Sequence, residues 1–308
     1  METKRNRKVL VHGLPYFGRL FVSSMSGEGW DFRFYPDSGI GNLTGMLLSL
    51  VTCDVAYQIG GRVTLGKFLR AAKILRKRKV VIHWVGTDTL DERAAVEAGK
   101  ADPWVRQNLA HWAETAWLGR EVNELGAACE IVPLPGVRLA ERPSRLPRDF
   151  SVLVYMPDTN FGALYGLDGI LRVARELPHI PFEMVGLAKG SISDPPGNLR
   201  VHGHVQNVDE FYERSTVVWR PVKHDGLSFM VLESLAHGRY VIWSYAFPGC
   251  LHATTDEEAR NKIARLYELH LEGRLQLNHE GLRAIRENYQ PQELRENIRT
   301  RLEKFLDA

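Results

Sequence analysis

Short apolar runs rich in Val and Ile alternate with helix-length segments along most of this chain, and that alternation restricts its fold more than any other feature. The runs fall at Lys8 to His12, Phe32 to Tyr35, Asp54 to Ile59, Val80 to Val85 and Cys129 to Leu134, then at Ser151 to Met156, Phe182 to Gly186, Leu199 to Gly203, Thr216 to Arg220 and Tyr240 to Ser244. Strands that are apolar throughout, rather than at every second position, belong to a sheet covered on both faces. The expected class is therefore α/β, with parallel strands joined by crossover helices. At 308 residues the chain is long enough for about two domains, and two sheets are needed to hold all the runs.

The break between the sheets is legible at residues 133–149, PLPGVRLAERPSRLPRD, where four prolines and scattered charges interrupt both periodicities. The division that follows is 1–143 for a first Rossmann-like domain, 150–288 for a second, and 289–308 for a final helix. In that helix Leu294, Ile298, Leu302, Phe305 and Leu306 form one apolar stripe, so it needs a surface to lie on, and the first domain offers one.

Composition excludes several function classes. Cys53, Cys129 and Cys250 lie far apart and form no CxxC or Cys/His set, so neither a disulfide framework nor a zinc finger is expected. The charged start METKRNRKVLVHGL has too short an apolar run for a secretory leader, and no stretch is apolar for the length of a bilayer, so the expected location is the cytoplasm. A net charge of +3 does not suggest a nucleic-acid partner. Its distribution is uneven, however: residues 55–87 hold no acid and eight bases, Arg62, Lys67, Arg70, Lys73, Arg76, Lys77, Arg78 and Lys79.

Open parallel sheets bind ligands beyond the carboxyl ends of their strands, so the loops after the strands are the places to look for chemistry. The first strand runs into His12-Gly13-Leu14-Pro15, where Gly13 either lets backbone N–H groups approach a phosphate or simply makes a tight turn. The fourth runs into His83-Trp84-Val85-Gly86-Thr87-Asp88, a histidine and an acid in one segment. His83 either handles a proton or a hydroxyl there or is a hydrogen-bonded core residue. The richest segment is 217–244, VVWRPVKHDGLSFMVLESLAHGRYVIWS. A strand ends at Arg220, a polar loop carries Lys223, His224, Asp225, Gly226, Leu227 and Ser228, and a helix carries Glu233 among apolar neighbours. Asp225 and Glu233 are eight residues apart, so at about 100° per residue both can face one cleft. The backbone N–H groups of Gly226, Leu227 and Ser228 at a helix start suit a diphosphate. A glutamate on an apolar helix costs free energy unless it is paired or binds a ligand.

DGLSFMVLESLAHGRYVIWS resembles the donor-site segment of GT-B glycosyltransferases, in particular the family 4-like retaining group, whose E-x7-E reads D-x7-E here. IHWVGTD, AWLGREVNELGAACEIVPLPGV and GNLRVHGHVQNVDEFYERSTVVWRP resemble other stretches of bacterial members of that group. The resemblance implies two Rossmann-like domains facing a central cleft. It also implies a hexosyltransferase that moves a sugar from a nucleotide-diphosphate sugar to a glycan or lipid-linked acceptor, as in polysaccharide synthesis, with retention and without metal or other cofactor. It places Glu233 on the ribose hydroxyls, Asp225 at the hexose, the 226–228 backbone on sugar or phosphate and Gly13 along the diphosphate. His83 falls at the hexose or reaction centre, with His204 and Val205 near the base.

Three departures stand out. The group usually has an arginine and a lysine just after the first strand of its second domain, whereas this chain reads Met156-Pro157-Asp158-Thr159-Asn160-Phe161-Gly162 and has no Lys or Arg before Arg172. Arg220 or Lys223 would then have to replace that pair. Asp225 stands for the usual glutamate and Ser228 for a usual glycine. These departures keep a second class open, a catalytically silent nucleotide- or glycan-binding protein. The basic stretch 62–79 has two readings as well, a face for anionic membrane or a crossover helix packed on the core with cations at its C-terminal end. The second is preferred, because the sheet already needs the apolar side.

Overall fold

The computed structural model describes residues 5–36 and 40–308, with the backbone alone for 40–43; the first four residues of the charged start, Met1 to Lys4, lie outside the described residues. The chain divides into two compact units, one of residues 1–137, 225–227 and 291–308, the other of residues 138–224 and 228–290.

The first unit holds a six-stranded sheet of β1 (Arg7–Gly13), β2 (Trp30–Tyr35), β3 (Val55–Ile59), β4 (Val80–Trp84), β5 (Ala110–Ala113) and β6 (Cys129–Ile131), in the order β2-β1-β3-β4-β5-β6. All its pairings are parallel. Every residue of β3 and β4 is buried, as continuous apolar runs require. Leu10, Ala56, Ile82 and Ala113 pack on one face with Phe68, Leu69 and Ala72 of the basic helix Lys67–Ile74. Val9, Val11, Tyr57, Val81 and Trp112 pack on the other with Phe21 and Met25 of the helix Pro15–Met25. The last helix, Pro291–Asp307, closes this second face: Ile298 and Leu302 are fully buried in it, with Phe305 and Leu306 at its margin. Arg299 fixes that helix by donating to the carbonyls of Met25 at 2.9 Å and Gly27 at 3.2 Å and by pairing with Glu28.

The second unit holds β7 (Val152–Tyr155), β8 (Phe182–Val185), β9 (Leu199–Gly203), β10 (Val217–Arg220), β11 (Tyr240–Trp243) and β12 (Cys250–His252), ordered β12-β11-β10-β7-β8-β9 and again parallel. Counted from its own first strand this is the 3-2-1-4-5-6 order of dinucleotide-binding folds, and it puts the switch point between β7 and β10. Its core gathers Val152, Val154, Phe182, Val217, Trp219 and Ile242 with Ile170, Val173, Ala259 and Ile263 from flanking helices.

Ten strands were expected from the sequence and twelve are present among the described residues. The two extra ones, β5 and β12, are four and three residues long and carry His or Trp, too short for any periodicity to show. No helix or strand lies between Ile131 and Val152, yet the unit boundary falls at Val137/Arg138, earlier than the expected 143. The later part of that linker is held by the second unit, where Arg239 donates to the Arg145 carbonyl at 2.9 Å and Ser144 Oγ meets His237 Nδ1 at 3.3 Å.

Candidate functional site

The switch point of the second unit carries the first group of candidate residues. Arg220 ends β10 with only 8% of its surface exposed, and its guanidinium lies 5.5 Å from the centre of the Tyr165 ring. Tyr165 ends the short helix Gly162–Tyr165, in the segment that follows β7. The two post-strand segments are sewn together by Lys223 N–H donating to the Leu164 carbonyl at 2.8 Å. Gly166, at φ +71°, packs so closely that an added Cβ would stand 2.4 Å from the Pro221 carbonyl oxygen. Arg220 therefore brings positive charge to the neighbourhood where the sequence has no base after β7. The Lys223 side chain is exposed.

Glu233 lies in the helix Phe229–Ala236, whose other residues are nearly all buried. Its Oε2 accepts a 2.8 Å hydrogen bond from the hydroxyl of Tyr212, a buried residue of the helix Asp209–Arg214. Burial pushes the Glu233 carboxyl up to about 7, with the negative charge of Asp209 adding to the rise; the Tyr212 bond and the Arg138 backbone N–H and charge oppose it. The carboxyl is thus poised to be either neutral or ionised near neutral pH. Ser228 precedes this helix, 7% exposed and without a side-chain capping bond. His204 is exposed and Val205 half-buried between β9 and the helix Asp209–Arg214.

The second group belongs to the first unit. Gly13 ends β1 at φ +118°, and a Cβ there would lie 1.9 Å from the Ile59 carbonyl oxygen, so contact with β3 alone demands glycine. Asp88 staples the turns that follow β3 and β4: its carboxylate accepts from the N–H groups of Gly61, of Val85 at 3.1 Å and of Gly86 at 2.9 Å. Burial raises Asp88 to about 6 against the pull of those bonds.

Asp225, Gly226 and Leu227 pack here too. The Trp117 indole N–H donates to the Asp225 carbonyl at 2.9 Å, and the Leu227 N–H donates to Glu114 Oε2 at 3.2 Å. A Cβ on Gly226 would stand 2.2 Å from the Val85 carbonyl oxygen and 2.9 Å from Glu114 Oε2, so the loop passes where only glycine fits.

Two expectations are corrected. His83 is wholly buried on the β4 face toward Tyr57 and Trp112. Its Nε2 faces the Val132 carbonyl at 2.9 Å and must carry the proton, so Nδ1 accepts from the Tyr57 hydroxyl at 2.6 Å. Burial lowers its pKa to about 3, and with both nitrogens engaged and no surface exposed it cannot meet a substrate. His83 is a core residue. Leu227 cannot offer its N–H to a diphosphate as expected, because Glu114 already accepts it.

Sequence reasoning missed Tyr212 and Glu114. Glu114 follows β5, the strand that was itself missed, and stands just before Thr115, whose side chain caps the helix Ala116–Glu124. An acid beside a helix cap reads as an ordinary helix start. Among the described residues no three His, Cys, Asp or Glu side chains converge as a metal-ligand set, and no helix is long and apolar enough to cross a membrane.

No protein-family model matches this sequence, and no curated protein matches it significantly by sequence. Solved structures do match. Sucrose-phosphate synthase from Thermosynechococcus elongatus superposes with a TM-score of 0.69 at 12% identity, over 99% of this chain and 100% of that one. Anabaena HepE, solved with UDP and glucose, gives 0.69 at 12% identity over 97% and 100%. A variant of S. aureus TarM, solved with fondaparinux, alpha-GlcNAc-glycerol and UDP, gives 0.61 at 10% identity over 85% of this chain, which spans only 59% of the TarM chain. The likeness is one of architecture, and on it this chain has the GT-B fold, with two six-stranded parallel sheets flanked by helices.

Proposed function

We propose that the chain is a glycosyltransferase that moves a sugar from a nucleotide-diphosphate sugar to an acceptor hydroxyl. The observation that carries this reading is the position of the D-x7-E segment. It follows β10 directly, at the switch point of a sheet whose strand order is that of nucleotide-binding folds. GT-B neighbours solved with UDP, with UDP and glucose, or with UDP-glucose support the donor class and make UDP the first nucleotide to test.

In this reading Glu233, steadied by Tyr212, accepts hydrogen bonds from the ribose hydroxyls, and Asp225 lies at the hexose. The Gly226 and Ser228 backbone and Gly13 approach the diphosphate, with His204 and Val205 near the base. Arg220, rather than the exposed Lys223, supplies positive charge as the bond from the anomeric carbon to the diphosphate breaks and its electron pair passes to the phosphate oxygen. The acceptor oxygen bonds the same face of that carbon and its proton passes to the departing phosphate. This front-face route gives retention and needs neither a protein base nor a metal, which is consistent with His83 lying out of reach. The acceptor is a glycan or lipid-linked glycan. The enzyme works in the cytoplasm, where exposed Ile74 and Leu75, set beside the exposed Arg76 and Arg78, suit peripheral contact with anionic lipid.

The test is release of sugar from UDP-, GDP- and ADP-sugars, with and without acceptor, in wild type and Glu233→Ala. Turnover of one donor that Glu233→Ala abolishes supports the assignment. Nucleotide binding unchanged by the substitution removes Glu233 from the donor site, and binding without turnover on any acceptor points to a silent binding protein.

A further inference from the structure

Glu114 is the most completely buried carboxyl among the described residues, 2% exposed, and the donor reading gives it no task. Its Oε2 accepts the Leu227 N–H at 3.2 Å, while its Oε1 is buried and has no hydrogen-bond partner. A buried carboxyl half-satisfied in this way costs free energy that a Leu or Met in its place would not. Its surroundings define what it does. The Trp117 indole holds the carbonyl of Asp225, Gly226 is pinned between the Val85 carbonyl and Glu114 itself, and Gly86 leaves room for the Gly226 N–H, with a Cβ position 3.2 Å away.

We propose that Glu114 is a positioning residue for sugar transfer: its carboxyl fixes the Leu227 peptide and so sets the Asp225–Leu227 loop in the conformation that meets the transferred sugar. The proposal rests on the donor reading above. The titratable groups facing Glu114 are Asp88, at the start of the helix after β4, Asp225, from the loop itself, and the buried Tyr57 of β3; the two acids disfavour a third negative charge. Burial with these two acids holds the Glu114 carboxyl well above the usual carboxylate range, which favours its protonated form. With Oε2 accepting from Leu227, Oε1 is the oxygen that carries the proton of the neutral form. Ionisation would set a further negative charge against Asp88 and Asp225 and repel Asp225 from its place. A neutral clasp keeps the loop in register without that charge.

The experiment compares wild type, Glu114→Gln and Glu114→Ala in calorimetric titrations with UDP, GDP and ADP and with their glucose conjugates, and in donor hydrolysis from about pH 6 to about pH 10. Glu114→Gln keeps a neutral acceptor for the Leu227 N–H and is expected to bind and turn over within about threefold of wild type at neutral pH. It is also expected to lack the alkaline fall in wild-type activity. Glu114→Ala frees the loop and is expected to lose about 10- to 100-fold in kcat, with nucleoside diphosphate affinity within about threefold, because the ribose contact at Glu233 is untouched. Should the alanine variant fail to fold, the Gln variant's pH profile decides the matter. Glu114→Ala with wild-type kcat, or a Gln variant whose alkaline limb parallels wild type, overturns the inference alone. A wild type that binds none of the nucleotides overturns the donor reading and this inference with it.

Discussion

Glu233→Gln should make this protein more stable and less able to bind its ligand. The carboxyl is raised to about 7 in the folded chain from a usual 4.5, a difference of about 2.5 pH units. The unfolded chain ionises above pH 4.5 while the folded chain keeps its proton, so wild-type stability falls as pH rises through that window and levels off above pH 7. At about 1.36 kcal/mol per unit the full penalty is about 3 kcal/mol. Glutamine is nearly isosteric, still accepts from the Tyr212 hydroxyl and does not titrate. Denaturant unfolding of both proteins at about pH 4.5 and about pH 8 should therefore show the variant's advantage growing by about 3 kcal/mol between the two. Asp88, Glu114 and His83 titrate identically in the two proteins and cancel in the difference. Nucleotide affinity should move the other way, because an ionised carboxylate accepts from two ribose hydroxyls and an amide from one. The loss of a charge-assisted bond corresponds to about 10- to 100-fold. A stability difference that is flat across this pH window would refute the raised carboxyl, and a variant that is more stable yet binds nucleotide as wild type does would refute its role.

Tyr212→Phe removes a bond that favours the ionised carboxyl, so its nucleotide affinity should drop by about three- to tenfold at neutral pH and recover as pH is raised, which a titration series will show. His83 stays neutral in the fold down to about 3 and is protonated in the unfolded chain below 6.5, so it costs stability progressively as pH falls through that window. His83→Gln should lack up to about 5 kcal/mol of that acid sensitivity in paired denaturation curves, and the folded variant should turn over donor as wild type does. Ile298→Ala opens a cavity against β1 and β3 and should cost about 2–5 kcal/mol, measured by denaturant unfolding, with the melting temperature falling accordingly.

The basic helix Lys67–Ile74 shows how evenly sequence and structure divide the account. Its apolar side was assigned to the sheet from the sequence, and Phe68, Leu69 and Ala72 are buried there. The helix stops at Ile74 and Leu75 is 44% exposed, because Arg76 turns to φ +51° and releases the chain toward β4. Lys77 and Lys79, two of the eight bases in that stretch, donate to the carbonyls of Cys53 and Phe305. A count of charges cannot see backbone carbonyls, which every residue carries.

The class of fold and its two parallel sheets followed from periodicity, since burial on both sides of a strand leaves its mark on every residue, and so did the apolar stripe of the last helix, whereas the face of the first sheet on which it lies did not. The segment 217–244 was legible for a related reason: an acid on an otherwise apolar helix contradicts its surroundings, and the contradiction is written in the sequence itself. Strand order, and with it the switch point between β7 and β10, depends on which strands pair across long separations, and no local pattern encodes that. The same holds for Tyr212 against Glu233, 21 residues apart, and for Glu114 against Leu227, 113 apart. His83, near the end of a strand, reads from the sequence either as chemistry or as core. Only the packed sheet, which turns it toward Tyr57 and the Val132 carbonyl and away from water, made it part of the core.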